Sequence, residues 1–312
     1  MDDNRVAINF ELGTIYFLKP SDLDCRSMKL YTDLRCLDYQ SPGHPERPDR
    51  IRATMELIRE RHAEWEWPLV EPAPIDAILR VHSQAHLQRL QEPKDFDGDT
   101  AYHEGIFEMA RLASGAMIGA MRTVFNGDAA FSLMRPPGHH AESNRAMGFC
   151  YLNHVAIAAL LALDSGLERV AIWDFDAHHG NGTEAIVRGM DRIRYVSVHQ
   201  HPCYPGTGIV SHDNAFNFPV SPGTEAAEHM KLLSKSWETT LDFAPELILV
   251  SAGFDAYVQD PLTQMRLGID DFKTLGQWLR QANCPLAATL EGGYSEDLPL
   301  LVDAFLEGWS GY

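Results

Sequence analysis

From Ala129 onward the chain alternates short, almost wholly apolar runs with segments of helical period. AAFSL (129–133) is followed by a helix over 151–164, RVAIWDF (169–175) by a helix over about 183–189, and IRYVSVH (193–199) by a helix over about 225–241. ELILVSAG (246–253), a helix over about 270–282, LAATLEGG (286–293) and a final helix complete the series. Parallel neighbours need a long crossover, so this spacing predicts an α/β fold around a mainly parallel sheet. Runs this apolar suit a sheet covered on both faces. Upstream, KLYTDLRCLDY opens with a strand-like stretch at Met28, and PERPDRIRATMELIRERH reads as a helix with proline near its start. Ser83 offers an N-cap for QAHLQRL. Over 102–125, Ile106, Ala110, Ala113, Met117, Ala120 and Val124 step by three and four, the period of a long amphipathic helix. Residues 1–27 fit the pattern least and read as an accessory strand or an extension. Repeats, low-complexity blocks and linker-like stretches do not stand out, which predicts a single domain over 1–312.

Composition narrows the partners. With 26 Lys+Arg against 44 Asp+Glu the formal net charge is −18, which argues against nucleic acid and other polyanions. The chain contains nothing near the roughly 18 to 20 continuous apolar residues of a membrane span. Its first residues, MDDNRVAINF, are acidic where a secretory signal is basic and then apolar, so a cytoplasmic location is expected. The five cysteines (Cys25, Cys36, Cys150, Cys203, Cys284) are odd in number and never form CxxC, against a disulfide framework or a cysteine-built zinc site. A homo-oligomer is compatible with all of this.

The unusual polar residues gather where strands end: Arg135 to His140, Asp174 to Gly182, His199 to Gly208, Asp255, and Glu291 to Tyr294. Open α/β sheets bind ligands outside the carboxyl ends of their strands, so five loops converge on one place. In DFDAHHGNGT, alternation puts Asp174, Asp176 and His178 on one face. Oxygen and nitrogen donors of this kind suit Zn²⁺ or Fe²⁺, with a third ligand from another loop, for which Asp255 is the candidate. The competing reading of each residue alone is helix capping or the filling of a polar gap. His139 and His140, held after Pro-Pro-Gly, can divide acid and base work, with Asp174 and Asn181 available to orient them. They also read as a second pair of metal ligands or as loop histidines without a role. Tyr294 in EGGY can donate to a developing oxyanion, or simply pack. Phe149 and Tyr204 can wall a slender substrate, or pack at a loop base. Asp99 reads either as an N-cap of the long helix or as an acceptor for substrate backbone at the site mouth.

RPPGHHAE, MGFCYLN, DFDAHHGNGT, YPGTG, VSAGFDA and EGGY occur in this order, with GHPERPDRI near the start. Together they resemble the histone deacetylase family, which includes acetylpolyamine amidohydrolases and acetoin-utilisation proteins, over about residues 29–309. HHGNGT and SAGFDA are similar to the class II branch and its bacterial relatives. The resemblance implies a three-layer arginase/deacetylase-type fold with long catalytic loops and a Zn²⁺-dependent deacetylase, Fe²⁺ being an alternative metal. It implies Asp176, His178 and Asp255 as metal ligands, and His139 and His140 as the acid/base pair with Asp174 and Asn181 behind them. Tyr294 becomes the oxyanion donor, Gly148, Phe149 and Tyr204 line an acyl-lysine tunnel, and Asp99 holds substrate backbone. A structural K⁺ near Asp174, Asp176, His178 and Ser197, bound mostly through main-chain oxygens, is implied too, as is inhibition by hydroxamates.

Departures sharpen the expectation. Tyr204 stands where the wall residue is often Phe, and His154 where a second Asn usually follows YLN. Leu262 occupies the gatekeeper position where a polyamine-selective relative carries Glu, which points to an acetylated lysine peptide or protein before an acetylated polyamine or other amine. One rival is a ureohydrolase with two Mn²⁺ ions and a DAHxD motif, but here Gly180 replaces the bridging carboxylate. Another is a non-catalytic acyl-lysine binder, which has no need of an acid/base pair.

Overall fold

The computed structural model describes residues 7–10, 13–16 and 28–311. Strands β1 (Ala7–Phe10) and β2 (Gly13–Tyr16) form a separate antiparallel pair, so the amino-terminal segment does carry accessory strands. The main sheet has seven strands, β3 (Met28–Tyr31), β4 (Ala129–Ser132), β5 (Val170–Asp174), β6 (Ile193–Gln200), β7 (Ala215–Val220), β8 (Leu247–Ala252) and β9 (Leu286–Leu290). Their order is β3-β4-β9-β8-β5-β6-β7, and every neighbouring pair is parallel. The helices are α1 (Asp49–Arg61), α2 (Ile75–Leu79), α3 (Gln84–Arg89), α4 (Ile106–Thr123), α5 (His154–Asp164), α6 (Asn181–Val187), α7 (Ala226–Leu241), α8 (Ile269–Gln281) and α9 (Leu298–Ser310). In the resulting three-layer α/β fold, α4 packs on α5, while α9 packs on both α8 and α1.

The central strands β5 and β8 are buried at every position, as continuous Val/Ile/Leu runs require. Because all seven strands point the same way, the carboxyl ends of β4, β5, β6, β8 and β9 share one edge, and the five polar loops meet there. Ser83 caps α3 by accepting from the His86 N–H. Asn153 caps α5 by accepting from Ala156 N, which starts that helix at His154 and not at the expected 151. Helix α6 begins at Asn181, two residues before the expected start. Strand β7 is absent from the sequence expectation. Among the described strands it pairs only with β6, its burial alternates, and it contains Pro219, a residue that edge strands tolerate.

Four buried histidines away from the proposed chemistry carry a pH signature. Burial is the leading cause that lowers His82 and His199 to about 3 and His154 and His229 to about 4, from an ordinary 6.5. Between pH 6.5 and those values the unfolded chain binds protons that the folded chain refuses, so stability rises with pH across this window and falls on acidification. Each group contributes about 1.4 kcal/mol per pH unit. Thermal unfolding followed by calorimetry should show Tm dropping steeply as pH falls from about 6.5 towards 4. His229→Gln should make that slope shallower; an unchanged slope would exclude His229 from the effect.

Candidate active site

Asp174 is the last residue of β5, and the chain beyond it turns Asp176 and His178 towards Asp255, which follows β8. A carboxylate oxygen from each of Asp176 and Asp255 and a ring nitrogen of His178 lie within 4.8 Å of one another, all three residues being buried. His178 Nδ1 is 2.7 Å from Asp255 Oδ2 and 3.3 Å from Asp176 Oδ1. Main-chain N–H groups fix the carboxylates: Ala177 donates to Asp255 Oδ1 at 2.8 Å, His178 to Asp176 Oδ1 at 2.8 Å and Gly292 to Asp176 Oδ2 at 2.7 Å. A side chain at 292 is excluded, since a Cβ there would lie 2.3 Å from Asp255 Oδ2 and 2.6 Å from Asp176 Oδ2. Burial, followed by the charge of Asp176, pushes the Asp255 carboxyl up. Two dry, adjacent carboxylates with an imidazole are unfavourable alone and well matched to a divalent cation, so the donor set fits Zn²⁺ or Fe²⁺.

A second acid/imidazole cluster, His62, Asp303 and Glu307, joins α1 to α9. Its carboxylates are already engaged, Asp303 by Arg61 at 2.6 Å and by the His62 ring at 2.8 Å, and Glu307 by Lys273 at 2.8 Å.

The histidine pair comes from the loop after β4, with ring centroids 4.0 Å apart. His139 Nδ1 meets Asp174 Oδ2 at 3.2 Å, and His140 Nδ1 meets Asn181 Oδ1 at 2.9 Å. The Asn181 amide nitrogen donates to Glu142 Oε1 at 3.0 Å, which fixes the amide so that its oxygen faces His140. His140 therefore carries its proton on Nδ1 and leaves Nε2 as an acceptor. Burial and the positive charges of His139 and His178 hold His140 well below its ordinary value. For His139 burial acts in the same direction but is outweighed by Asp176, Asp174 and Glu291, which raise it to about 10. One histidine is thus biased towards the neutral form and its neighbour towards the charged one. Asp174 also accepts from Tyr195 Oη at 2.9 Å and from Asp176 N at 3.2 Å. Ser197 lies beside it in the β5–β6 register, its hydroxyl engaged with His199 Nδ1 at 2.8 Å.

A pocket of about 440 Å³ opens onto this floor, lined by His140, His178 and Tyr294 and walled by Gly148, Phe149, Cys203, Tyr204 and Leu262, with Asp99 and His44 among its outer residues. Phe149 adopts φ +68°, a left-handed backbone rare outside glycine, and packs edge-on against Tyr294 at 5.8 Å between centroids. Its opposite neighbour is His44, edge-on at 4.5 Å. His44 Nε2 also meets the Asp99 carbonyl at 3.2 Å, tying the rim to the wall. Tyr204 stands edge-on to His140 at 5.2 Å. Asp99 is not a helix cap: α4 begins at Ile106 behind Gly105, and Asp99 is exposed on the pocket lining. Burial raises the Tyr294 phenol well above its ordinary value, against the opposing charge of Arg50, so its O–H stays intact as a donor. The Arg50 guanidinium lies 4.7 Å from the Tyr294 ring centroid and donates to the carbonyls of Gly293 at 2.7 Å and Glu291 at 2.6 Å.

Sequence reading gave no role to Arg50, His44, Asp260 or Glu291. Glu291 is fully buried, and its carboxylate accepts from Gly138 N at 2.7 Å, His139 N at 3.1 Å and Ser251 Oγ at 3.0 Å, so EGGY holds the histidine loop as well as supplying Tyr294. The available signal was a charge directly after an apolar strand and before two glycines. The His154 departure also gains a physical account. Its ring spans Ser114 Oγ at 2.8 Å and the Pro136 carbonyl at 3.0 Å, bracing the Pro-Pro-Gly loop against α4. Gly180 is hemmed in: a Cβ there would lie 2.3 Å from Asp174 Oδ2 and 2.5 Å from Tyr195 Oη.

Fold and site together define a three-layer α/β architecture of the arginase/deacetylase type, in which paired histidines confront a metal-type Asp/His/Asp cluster. The histone deacetylase domain family matches residues 44–307, and the chain belongs to that family. An uncharacterized protein of Synechocystis sp. is 42% identical over 85% of this chain and 92% of its own length. The histone deacetylase-like amidohydrolase of Pseudomonas aeruginosa is 36% identical over 86% of this chain and 77% of its own. Among solved structures, the HDA15 HD domain superposes with a TM-score of 0.86 at 30% identity, covering 92% of this chain and 90% of that one. Among the described residues no helix is long and apolar enough to cross a membrane.

Proposed function

We propose that the protein is a metal-dependent amide deacetylase that removes acetyl groups from lysine side chains. The observation that carries this reading is the placement of His140, His178 and Tyr294 on one pocket lining, with Asp176 and Asp255 completing the donor set behind it. Asp176, His178 and Asp255 would hold a Zn²⁺ or Fe²⁺ ion, which would supply Lewis acidity towards an acetamide carbonyl and a water. The chain's own groups do the rest. His140 Nε2, with its Nδ1–H committed to Asn181, accepts the proton of the attacking water. Tyr294 donates its O–H to the carbonyl oxygen as negative charge builds there. His139, biased towards the charged form by Asp176 and then Asp174, stabilises that charge, and a protonated imidazole of the pair passes its proton to the departing nitrogen. The C–N bond breaks, and acetate and a free amine leave. The same reading keeps a K⁺ as a structural ion beside Asp174, Asp176, His178 and Ser197, on main-chain oxygens, and makes hydroxamates inhibitors.

The pocket wall favours lysine over a polyamine. Leu262 brings no carboxylate to the lining, while the exposed Asp99 at the mouth is placed to accept from a peptide backbone. A kcat/KM panel of acetyl-lysine peptides, longer acyl-lysines, acetylated polyamines and small amides tests this directly, and higher values for polyamines would replace the lysine assignment. Leu262→Glu should move the ratio of polyamine to lysine kcat/KM upwards by about tenfold, since a carboxylate placed in the lining attracts a second ammonium. An unmoved ratio would remove Leu262 from specificity.

A further inference from the structure

Asp260 lies in the loop between β8 and α8 and is only 7% exposed. Among the described residues it makes no ion pair, which is unusual for a carboxylate this deep. Its two oxygens serve two separate stretches of chain: Oδ1 accepts the N–H of Leu262 at 2.9 Å, and Oδ2 accepts the N–H of Tyr294 at 2.8 Å. Next to it, Thr263 Oγ1 donates to the Asp255 carbonyl, and Asp260 N to the Tyr257 carbonyl at 3.0 Å, so the loop bearing the carboxylate is itself anchored. Leu262 and Tyr294 both line the 440 Å³ pocket, one on its wall and one on its floor.

We propose that Asp260 is a positioning residue, a clamp that fixes the Leu262 wall and the Tyr294 turn against each other, so that pocket width and phenol reach are set by one side chain. Both arms end on main-chain N–H groups, so the clamp acts on backbone position and is indifferent to which side chains stand at 262 and 294. The kinetic consequences rest on the amide-hydrolase reading; the clamp rests on geometry alone.

Asp260→Asn is the informative variant. It is isosteric, but an amide has one oxygen, so its NH₂ must confront one of the two N–H donors and that arm opens. Hydrogen exchange followed by mass spectrometry should show faster exchange in at least one of the peptides covering 261–264 and 292–296, with 138–142 unchanged. With an acetyl-lysine substrate, kcat should fall by about 10- to 100-fold, the scale of a small misplacement of a reacting group, and KM should rise severalfold. In a Tyr294→Phe background the kcat loss should vanish while the KM change persists, a split that general destabilisation does not produce. Unchanged exchange in both peptides, or an equal kcat loss in both backgrounds, overturns the proposal. If Asp260→Asn does not fold, Asp260→Ser, which keeps one small acceptor, is read by the same criteria. A wild-type chain that hydrolyses no acylated amine overturns the functional reading instead, and the exchange result then decides the clamp.

Discussion

Chelation of the purified protein is expected to abolish hydrolysis of a fluorogenic acetyl-lysine substrate, and added Zn²⁺ or Fe²⁺ to restore it. The expected loss is about 10³-fold or more, because a cation polarising a carbonyl contributes several kcal/mol that no side chain here replaces. Asp176 and Asp255 are the leverage points. Asp255→Ala deletes one donor and leaves Asp176 and His178, 3.3 Å apart, as a simple pair. Asp176→Ala also strands the Gly292 N–H that it now receives at 2.7 Å. Both variants should lose turnover and hydroxamate affinity together while keeping the wild-type circular dichroism. Turnover indifferent to chelator, or an Asp176→Ala protein that still binds hydroxamate as tightly as wild type, would sink the metal assignment.

The second large effect concerns the groups that handle the proton and the oxyanion. Tyr294→Phe and His140→Ala should each lower kcat by about 10²- to 10³-fold with little change in KM, since each interaction strengthens as the reaction proceeds and adds little before it. The two are separable by pH. Burial holds the Tyr294 phenol protonated well above its ordinary value, so Tyr294→Phe should scale the kcat profile down without changing its shape. In the proposed mechanism His140 is the proton acceptor, so His140→Ala should alter the shape. Normal turnover in either variant removes that residue from the scheme, and a Tyr294→Phe protein that loses only the basic limb would contradict an un-ionised phenol.

The legible parts of this protein are those written in local periodicity. Six of the seven main-sheet strands announce themselves as apolar runs, and the loops that follow them carry the polar motifs, so the place of the site follows from the strand ends. Strand β7 escaped because an edge strand needs neither a continuous apolar run nor a full set of N–H donors, and AFNFPV reads as a loop with proline. The metal-type cluster was legible because two of its three members sit two residues apart. The supports were not. Asp260 and Glu291 act on main-chain N–H groups of residues 34 and 153 positions away, and no spacing rule reports such pairs. The tautomer of His140 likewise depends on Glu142, which meets it only through Asn181 in three dimensions.

Gly180 bears on the mutational routes open to this chain. A second metal would need a carboxylate where the DAHHG motif has its glycine, yet even a methyl group there would overlap Asp174, which orients His139, and Tyr195, which supports Asp174. A side chain at 180 would therefore press on the group that orients His139 before it could hold an ion. Substitution at position 180 alone cannot bring in a bridging carboxylate without displacing Asp174 and Tyr195.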